Sequence, residues 1–303
     1  MRPRRLNKGD TVGVIAPAGP TDKDELLDGI SFLNSLGLHV KLGKHVLNQY
    51  GYLAGSDQNR LEDLHAMFAD KDVSAIFCAR GGYGTARIAP YINYHLIANN
   101  PKIFWGYSDI TFLHTAIRQM TGLVTFHGPM VSSDFSKDDF DYLSKQMFDQ
   151  LFYPATLLYT DKISPLKIIS HGEACGEIVG GNLSVLINTL GTRFELDTSG
   201  KLLLLEDVGE EPYRIDAFLN QLKLAGKIDA AAGIILGDFN NVAPKKSSFT
   251  LDQVLHQYFQ HLHKPVISGL KIGHCFPHFS IPLGVEAKLS TTDKTLLISP
   301  GIT

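Results

Sequence analysis

The chain has little cysteine. Among 303 residues only Cys78, Cys175 and Cys275 occur, an odd number, far apart and with no C-x-x-C. That excludes a disulfide framework and reads as free thiols in a reducing, cytoplasmic compartment. Long apolar runs are missing too, and none approaches the ~18–20 residues of a membrane span. The N-terminal "MRPRRLNKGDTVGVIAPAGP" sets basic residues before an apolar run, but the run is only Val12 to Ala16, with Asp10 ahead of it. It is too short and too polar-flanked for a signal peptide. Positive charge is not in excess: 28 Lys and Arg stand against 31 Asp and Glu, a formal charge of −3. No basic footprint for nucleic acid and no polybasic membrane patch follows. Internal repeats and low-complexity segments are absent.

What is present is ordinary globular composition, 44% hydrophobic and 19% charged, at a length that suggests two domains. The first half alternates β-branched or aromatic runs with helical patterns. The runs are "TVGVIAP" (11–17), "HVKLGK" (39–44), "SAIFCAR" (74–80), "KIFWGYS" (102–108) and "LVTFHGP" (123–129). Between them, "DKDELLDGISFLNSLG" places Leu26, Leu27, Ile30 and Leu33 on one face, and "SDQNRLEDLHAMFAD" opens with a cap at Ser56 ahead of Leu61, Leu64 and Phe68. Such alternation, with near-continuous apolar strands, predicts an α/β domain built on a parallel sheet covered on both faces. From 137 to 172 the pattern loosens, although "SKDDFDYLSKQMF" suggests a helix, and the domain junction is placed there. The second half has strands at "LLLLED" (202–207) and "GIILGDF" (233–239), helices at "PYRIDAFLNQLKLAG" and "TLDQVLHQYFQHLH", and two strands around a polar turn at its end.

Ser108 lies in "KIFWGYSDITFLH", at a corner between a strand and a helix. A serine there can present Oγ as a nucleophile, with the amides of the following helix aimed at the same space. It can equally be a cap, as can Asp109, and Ile110 stands where a G-x-S-x-G motif has its second glycine. A nucleophile needs a base. His256, His261 and His263 fall on the polar side of a helix at spacings that join no ligand pair, and packing accounts for His114. His127 ends the fifth strand at the sheet edge where open α/β folds hold ligands, which makes it a binding candidate. His274, in "KIGHCFPHFSIPLG", sits in a loop whose path glycine and proline restrict; it suits a base, and core packing stays open. A metal site there is disfavoured, because two ligands interrupted by proline do not close one. Glu206 follows four leucines, where a buried carboxylate needs a partner such as an imidazole N–H; a solvated acidic loop with Asp207, Glu210 and Glu211 is the alternative. Ser…Glu…His in this order fits a triad split between domains.

The ordered set "VIAPAGP", "ARGGYGTARI", "WGYSDITFLH", "GGNLSVLINTLGT", "LLLLEDVGEEPYRID" and "GHCFPHFSIPLG", from 14 to 284, strongly resembles the LD-carboxypeptidase family of serine peptidases. The resemblance implies a nucleophile at Ser108, a glutamate at Glu206 and a base at His274. It implies a flavodoxin-like or amidotransferase-like N-terminal domain (1–155), a swivelling β/α C-terminal domain (170–303) and a homodimer. It also implies a substrate, the murein tetrapeptide, whose terminal D-alanine is released. No metal or organic cofactor is required. With that chemistry in view, the N–H of Asp109 is the expected first oxyanion donor and Gly82 a second, since Gly81 and Gly82 let backbone approach a ligand closely. Arg80 is the expected partner of the substrate carboxylate. Two rivals remain, a microcin C self-immunity peptidase cleaving an aminoacyl-nucleotide and a non-catalytic murein-fragment sensor; a third, a nucleotide-binding flavodoxin-like protein, is set aside. Against the first, the single tryptophan, Trp105, lies inside the nucleophile strand and is a poor platform for adenine. Against the last, "APAGP" lacks G-x-G-x-x-G.

Overall fold

The computed structural model describes residues 1–137, 140–242 and 248–303. Its first sheet holds β1 (Thr11–Ile15), β2 (His39–Leu42), β3 (Val73–Cys78), β4 (Ile103–Gly106) and β5 (Thr125–His127), each within the run expected for it or a residue beyond. They pair in parallel in the order β5-β4-β3-β1-β2. The helices between them are α1 (Lys23–Ser35), α2 (Asp57–Ala69), α3 (Thr85–Ile88), α4 (Tyr94–Asn99) and α5 (Thr111–Thr121). Asp22 caps α1, and Ser56 with Asn59 forms a capping box on α2; such caps contribute about 1 kcal/mol each.

Strand alternation divides the core. Val12, Val14, Phe77, Trp105 and Phe126 pack on one side with Leu26 and Leu33 of α1. Ile76, Cys78 and Phe104 pack on the other with Leu64 and Phe68 of α2 and Leu113 of α5. Leu27, expected on the buried face of α1, is 49% exposed; the stripe runs instead through Leu26, Gly29 and Leu33, and Leu27 falls about 100° round the helix from Leu26, on the side away from Gly29 and Leu33.

The second sheet comprises β6 (Leu157–Thr160), β7 (Lys167–Ser170), β8 (Glu173–Asn182), β9 (Leu202–Val208), β10 (Gly233–Asn240) and β11 (Val266–Ser268). It is completed by β13 (Glu286–Ser290) and β14 (Thr295–Ile298). Its order is β6-β14-β13-β8-β9-β10-β11-β7. The intervening β12 (Ile281–Leu283) crosses to the first sheet and pairs antiparallel with β5, so the C-terminal half supplies an edge of the N-terminal sheet. The mixed stretch around the expected junction supplies β6 and β7, both antiparallel members of the second sheet. The remaining helices are α6 (Tyr142–Gln146), α7 (Leu183–Ile187), α8 (Pro212–Leu224), α9 (Lys227–Ala230) and α10 (Leu251–Phe259). Of the helix expected over "SKDDFDYLSKQMF", residues 138 and 139 lie outside the described residues. The last expected helix stops at Phe259, leaving His261 and His263 beyond its end and, like His256, exposed.

The four leucines of β9 fix where its acids point. Leu202 and Leu204 join the cluster shared with the first sheet. Leu203 and Leu205 pack under Ile215 and Leu219 of α8 and Phe259 of α10. Each buried leucine stabilises by about 1.5–3 kcal/mol, so a one-residue slip of register is strongly disfavoured. The two-residue period then carries Glu206 onto the Leu202/Leu204 face, toward the first sheet, and Asp207 onto the opposite face.

Candidate active site

Ser108 follows extended Tyr107 and has φ +63°, a left-handed conformation that costs a non-glycine residue about 1–3 kcal/mol and collects at functional sites. The capping alternative is not realised. Neither the 3-10 turn Ser108–Ile110 nor α5 has a side-chain cap. The Asp109 carboxylate is turned away, accepting from the Thr85 N–H at 2.9 Å, while the Thr85 hydroxyl donates to the Asp109 carbonyl at 2.6 Å. Burial pushes the Asp109 carboxyl up to about 6, against those bonds and the Arg60 charge. Its backbone N–H, like that of Gly82, has no acceptor among the described residues.

The loop after β3 lies against the serine. A Cβ on Gly81 would stand 2.8 Å from Ser108 Cβ and 2.9 Å from its Oγ, so only glycine allows this approach. Gly81 is anchored by its carbonyl, which accepts from the Gly19 N–H at 3.0 Å. Arg80 is partly buried, and one guanidinium nitrogen donates to the Pro20 carbonyl at 3.2 Å. No carboxylate pairs with it among the described residues. These loops sit at the carboxyl ends of β1, β3 and β4, the crevice where this strand order places ligands.

From the other sheet comes Glu206, 0% exposed, with Oε2 2.7 Å from His274 Nδ1. Gly273, at φ +123°, lets the loop close to this distance, because a Cβ there would lie 2.6 Å from Oε2. Asn240 Nδ2 donates to the His274 carbonyl at 2.7 Å and holds the loop from below. Burial alone would push the Glu206 carboxyl up; the charge and hydrogen bond of His274, with His127 beside it, outweigh burial and hold it well below the usual carboxylate range. Burial pulls the His274 imidazole down, yet the charge and hydrogen bond of Glu206 raise it above its ordinary value. With Nδ1 on the glutamate, Nε2 is the nitrogen left for a reacting group. The Tyr107 ring lies 4.7 Å from the His274 ring, centroid to centroid, which places this imidazole beside the residue preceding Ser108. Among the described residues Ser108 Oγ has no hydrogen-bond partner; contacts of this kind commonly tighten when substrate binds.

Asp207 does a different job. It accepts from Asn182 Nδ2 at 3.0 Å and the Ser184 N–H at 2.8 Å, tying β9 to the corner between β8 and α7, and burial pushes its carboxyl up to about 6. Asn182 in turn donates its N–H to Thr111 Oγ1 at 3.1 Å, at the start of α5.

His127, expected to bind substrate, is 0% exposed and lies behind Glu206, so its ring offers no surface to a ligand. Strand β5 ends at the sheet's ligand edge as expected, but its side chain points into the seam between the sheets. Asp134 and Asn240 have no signal in the sequence, because each contact depends on a loop whose course no periodicity encodes; His278, weighed there only as half of a disfavoured metal pair, packs on His127. Asp134 accepts from the Tyr107 hydroxyl at 3.1 Å and the Met130 N–H at 2.7 Å. A cavity of about 310 Å³ opens beside the imidazole, lined by Tyr107, Asp134, Lys137, Asn240, His274 and Cys275. Burial pushes the Cys275 thiol up, so it is not a thiolate nucleophile. A larger cavity of about 450 Å³, near Arg5, Lys8, Ser35 and Tyr153, contains none of these groups; the smaller one borders the His274 imidazole. Among the described residues no group of three or more His, Cys, Asp or Glu could hold a metal ion, and no helix is long and apolar enough to cross a membrane.

A buried carboxylate–imidazole pair whose imidazole packs on Tyr107, the residue before a strained serine, is an arrangement suited to nucleophilic hydrolysis. Comparison with known proteins gives the class. Residues 12–128 match the LD-carboxypeptidase N-terminal domain and residues 175–289 the LD-carboxypeptidase C-terminal domain. The chain belongs to the LD-carboxypeptidase family. A probable murein peptide carboxypeptidase of Bacillus subtilis is 55% identical over 303 residues, 99% of this chain and 95% of that protein. Among solved structures, an MccF-like protein from Bacillus anthracis superposes with a TM-score of 0.90 at 29% identity, covering 99% of each chain. The muramoyltetrapeptide carboxypeptidase from Oxalobacter formigenes does so with a TM-score of 0.86 at 29% identity, covering 97% of this chain and all of that one.

Proposed function

We propose that this carboxypeptidase is a serine enzyme that hydrolyses the L,D bond releasing the terminal D-alanine of murein tetrapeptide, with Ser108, Glu206 and His274 as its triad. The observation that carries this is the 2.7 Å Glu206–His274 pair, whose imidazole packs on Tyr107, the residue before a serine held at φ +63°. His274 Nε2 takes the Ser108 proton as Oγ attacks the scissile carbonyl carbon. The N–H groups of Asp109 and Gly82 accommodate the oxyanion. Collapse of the tetrahedral species breaks the C–N bond, and His274 returns the proton to the leaving amine of D-alanine. Water, deprotonated by the same imidazole, then cleaves the tripeptidyl ester and regenerates Ser108. Nothing in these steps calls for a metal or organic cofactor. The relatives named above support the substrate; a cytoplasmic homodimer is part of the same proposal, supported by the resemblance and the unpaired cysteines.

Mass spectrometry of the purified protein with a murein tetrapeptide, the corresponding pentapeptide and an aminoacyl-adenylate analogue tests this reading. Loss of one alanine from the tetrapeptide alone is the expected outcome. Cleavage of the adenylate analogue alone would replace it with the activity expected of the immunity branch, and binding without cleavage would replace it with a fragment sensor.

Two further results are expected. Because the base must be neutral and Glu206 raises the His274 pKa, the acid limb of the kcat/KM profile should lie above the ordinary imidazole value of about 6.5. A limb below that value in a pH-rate series would contradict the pairing. Arg80→Ala should raise KM for the tetrapeptide about tenfold or more with a smaller change in kcat, because a guanidinium lacking a carboxylate partner beside the glycine loop contributes uniform binding. An unchanged KM in steady-state kinetics would remove Arg80 from the carboxylate site.

A further inference from the structure

The Glu206 carboxylate has two oxygens, and the triad uses one. Oε1 faces the other way, into a fully buried space, and has no hydrogen-bond partner. Facing it is His127 Nε2 at 3.7 Å, with both residues 0% exposed. Neither ring nitrogen of His127 is bonded. Unmade bonds on buried polar atoms are costly, and more so for a charged acceptor. Here three orphaned atoms lie together, and one displacement of about an ångström or less would satisfy the carboxylate and one imidazole nitrogen at once. The ring is held in plane for it: His127 stacks on His278 at 5.6 Å and 19° and meets the edge of Tyr107 at 5.6 Å and 64°.

Resting on the triad assignment above, we propose that His127 is a positioning residue: its Nε2–H closes on Glu206 Oε1, so that the carboxylate is gripped between two imidazoles. His274 holds the oxygen that does chemistry and His127 holds the one that does not. A carboxylate bonded at one oxygen can rotate about its terminal torsion and carry His274 with it; bonded at both, it presents Oε2 in one direction. The second donor also draws charge away from Oε2 and so moderates how tightly Glu206 holds a proton on His274.

The charged and titratable surroundings are fixed by other contacts. Tyr107 donates to Asp134, Asp207 is bonded to Asn182 and Ser184, and Asp238 pairs with Lys271. Burial keeps His114, bonded to the Gly106 carbonyl, and His278 neutral, and Cys275 protonated. None of these reaches Oε1.

The test is the kcat/KM pH profile of His127→Phe, which keeps a ring but no donor, beside His127→Gln, which keeps a donor. His127→Phe should lose about ten- to a hundred-fold in kcat, the scale of one hydrogen bond to a buried charge, with KM nearly unchanged and the acid limb moved to higher pH. His127→Gln should recover most of that loss. Wild-type kcat and pH profile in His127→Phe would overturn the proposal, as would equal losses in both variants without a shifted limb. Should His127→Phe fail to fold, nitrogen-15 NMR of the imidazoles in the unmutated protein decides: a proton on His127 Nε2 is expected, and protonation on Nδ1 alone overturns it. The NMR readout needs no turnover, so inactivity on tetrapeptide would sink the proposed substrate without touching this result.

Discussion

Ser108→Ala is expected to lower kcat on murein tetrapeptide by about 10⁴- to 10⁶-fold while leaving the fold and substrate binding in place. The size follows from the mechanism: without Oγ no ester can form, and what remains is the oxyanion donors acting on a water attack. Space is not disturbed, since alanine keeps the Cβ that packs against Gly81, where a Cβ would stand 2.8 Å from it. Alanine bears the φ of +63° no better than serine does, so a modest loss of thermal stability is compatible with the prediction. Single-turnover kinetics, with binding followed separately, make the check. Turnover within tenfold of wild type would show that Ser108 is not the nucleophile.

Glu206→Gln should cost about 10⁴-fold in kcat, nearly as much, though the residue never touches substrate. An amide of the same shape fits the same space, but it carries no charge to stabilise the imidazolium, and its NH₂ can face Nδ1 and select the wrong tautomer. The acid limb should fall toward the ordinary imidazole value, because the charge that raises His274 is gone. Stability should respond as well. The folded pKa of Glu206 lies below its unfolded value of about 4.3, so its contribution is present above that pH and lost as pH falls through the folded value. That of His274 is raised, so its contribution is complete below about 6.5 and lost as pH rises through the folded value. The pair therefore stabilises most between about pH 4.5 and 6.5, and Glu206→Gln should flatten the Tm–pH profile across that window. Thermal melts at four or five pH values suffice; an unaltered profile would mean that the pair is not coupled in the folded protein. The activity window and the window of pair stability are thus offset, because catalysis needs His274 without its proton.

These expectations join residues that the chain keeps far apart. The parallel sheet was legible because its inner strands, β1, β3, β4 and β5, are buried on both faces and read as apolar runs, and the cap of α2 because Ser56 acts within three residues of itself. Ser108, Glu206 and His274 stand out in the sequence as candidates because each ends or follows a patterned segment. His127 was misplaced because a strand end indicates an edge of the sheet without indicating what packs over it. Here the covering element is β12, from residues 281–283, paired with β5 across more than 150 residues of chain.

Local features follow from residue order alone: the strands of the parallel sheet, the principal helices, the corner that strains Ser108, and the two-residue period that turns Glu206 and Asp207 to opposite faces. Periodicity and capping are near-neighbour physics, and near neighbours are what a sequence states directly. The assembled fold was needed to show that Gly273 brings His274 to 2.7 Å from Glu206, that Gly81 lies on the serine, and that a second histidine stands behind the glutamate. Those contacts are made between separate sheets and loops, where distance in space is set by the packing of the whole core rather than by any spacing along the chain.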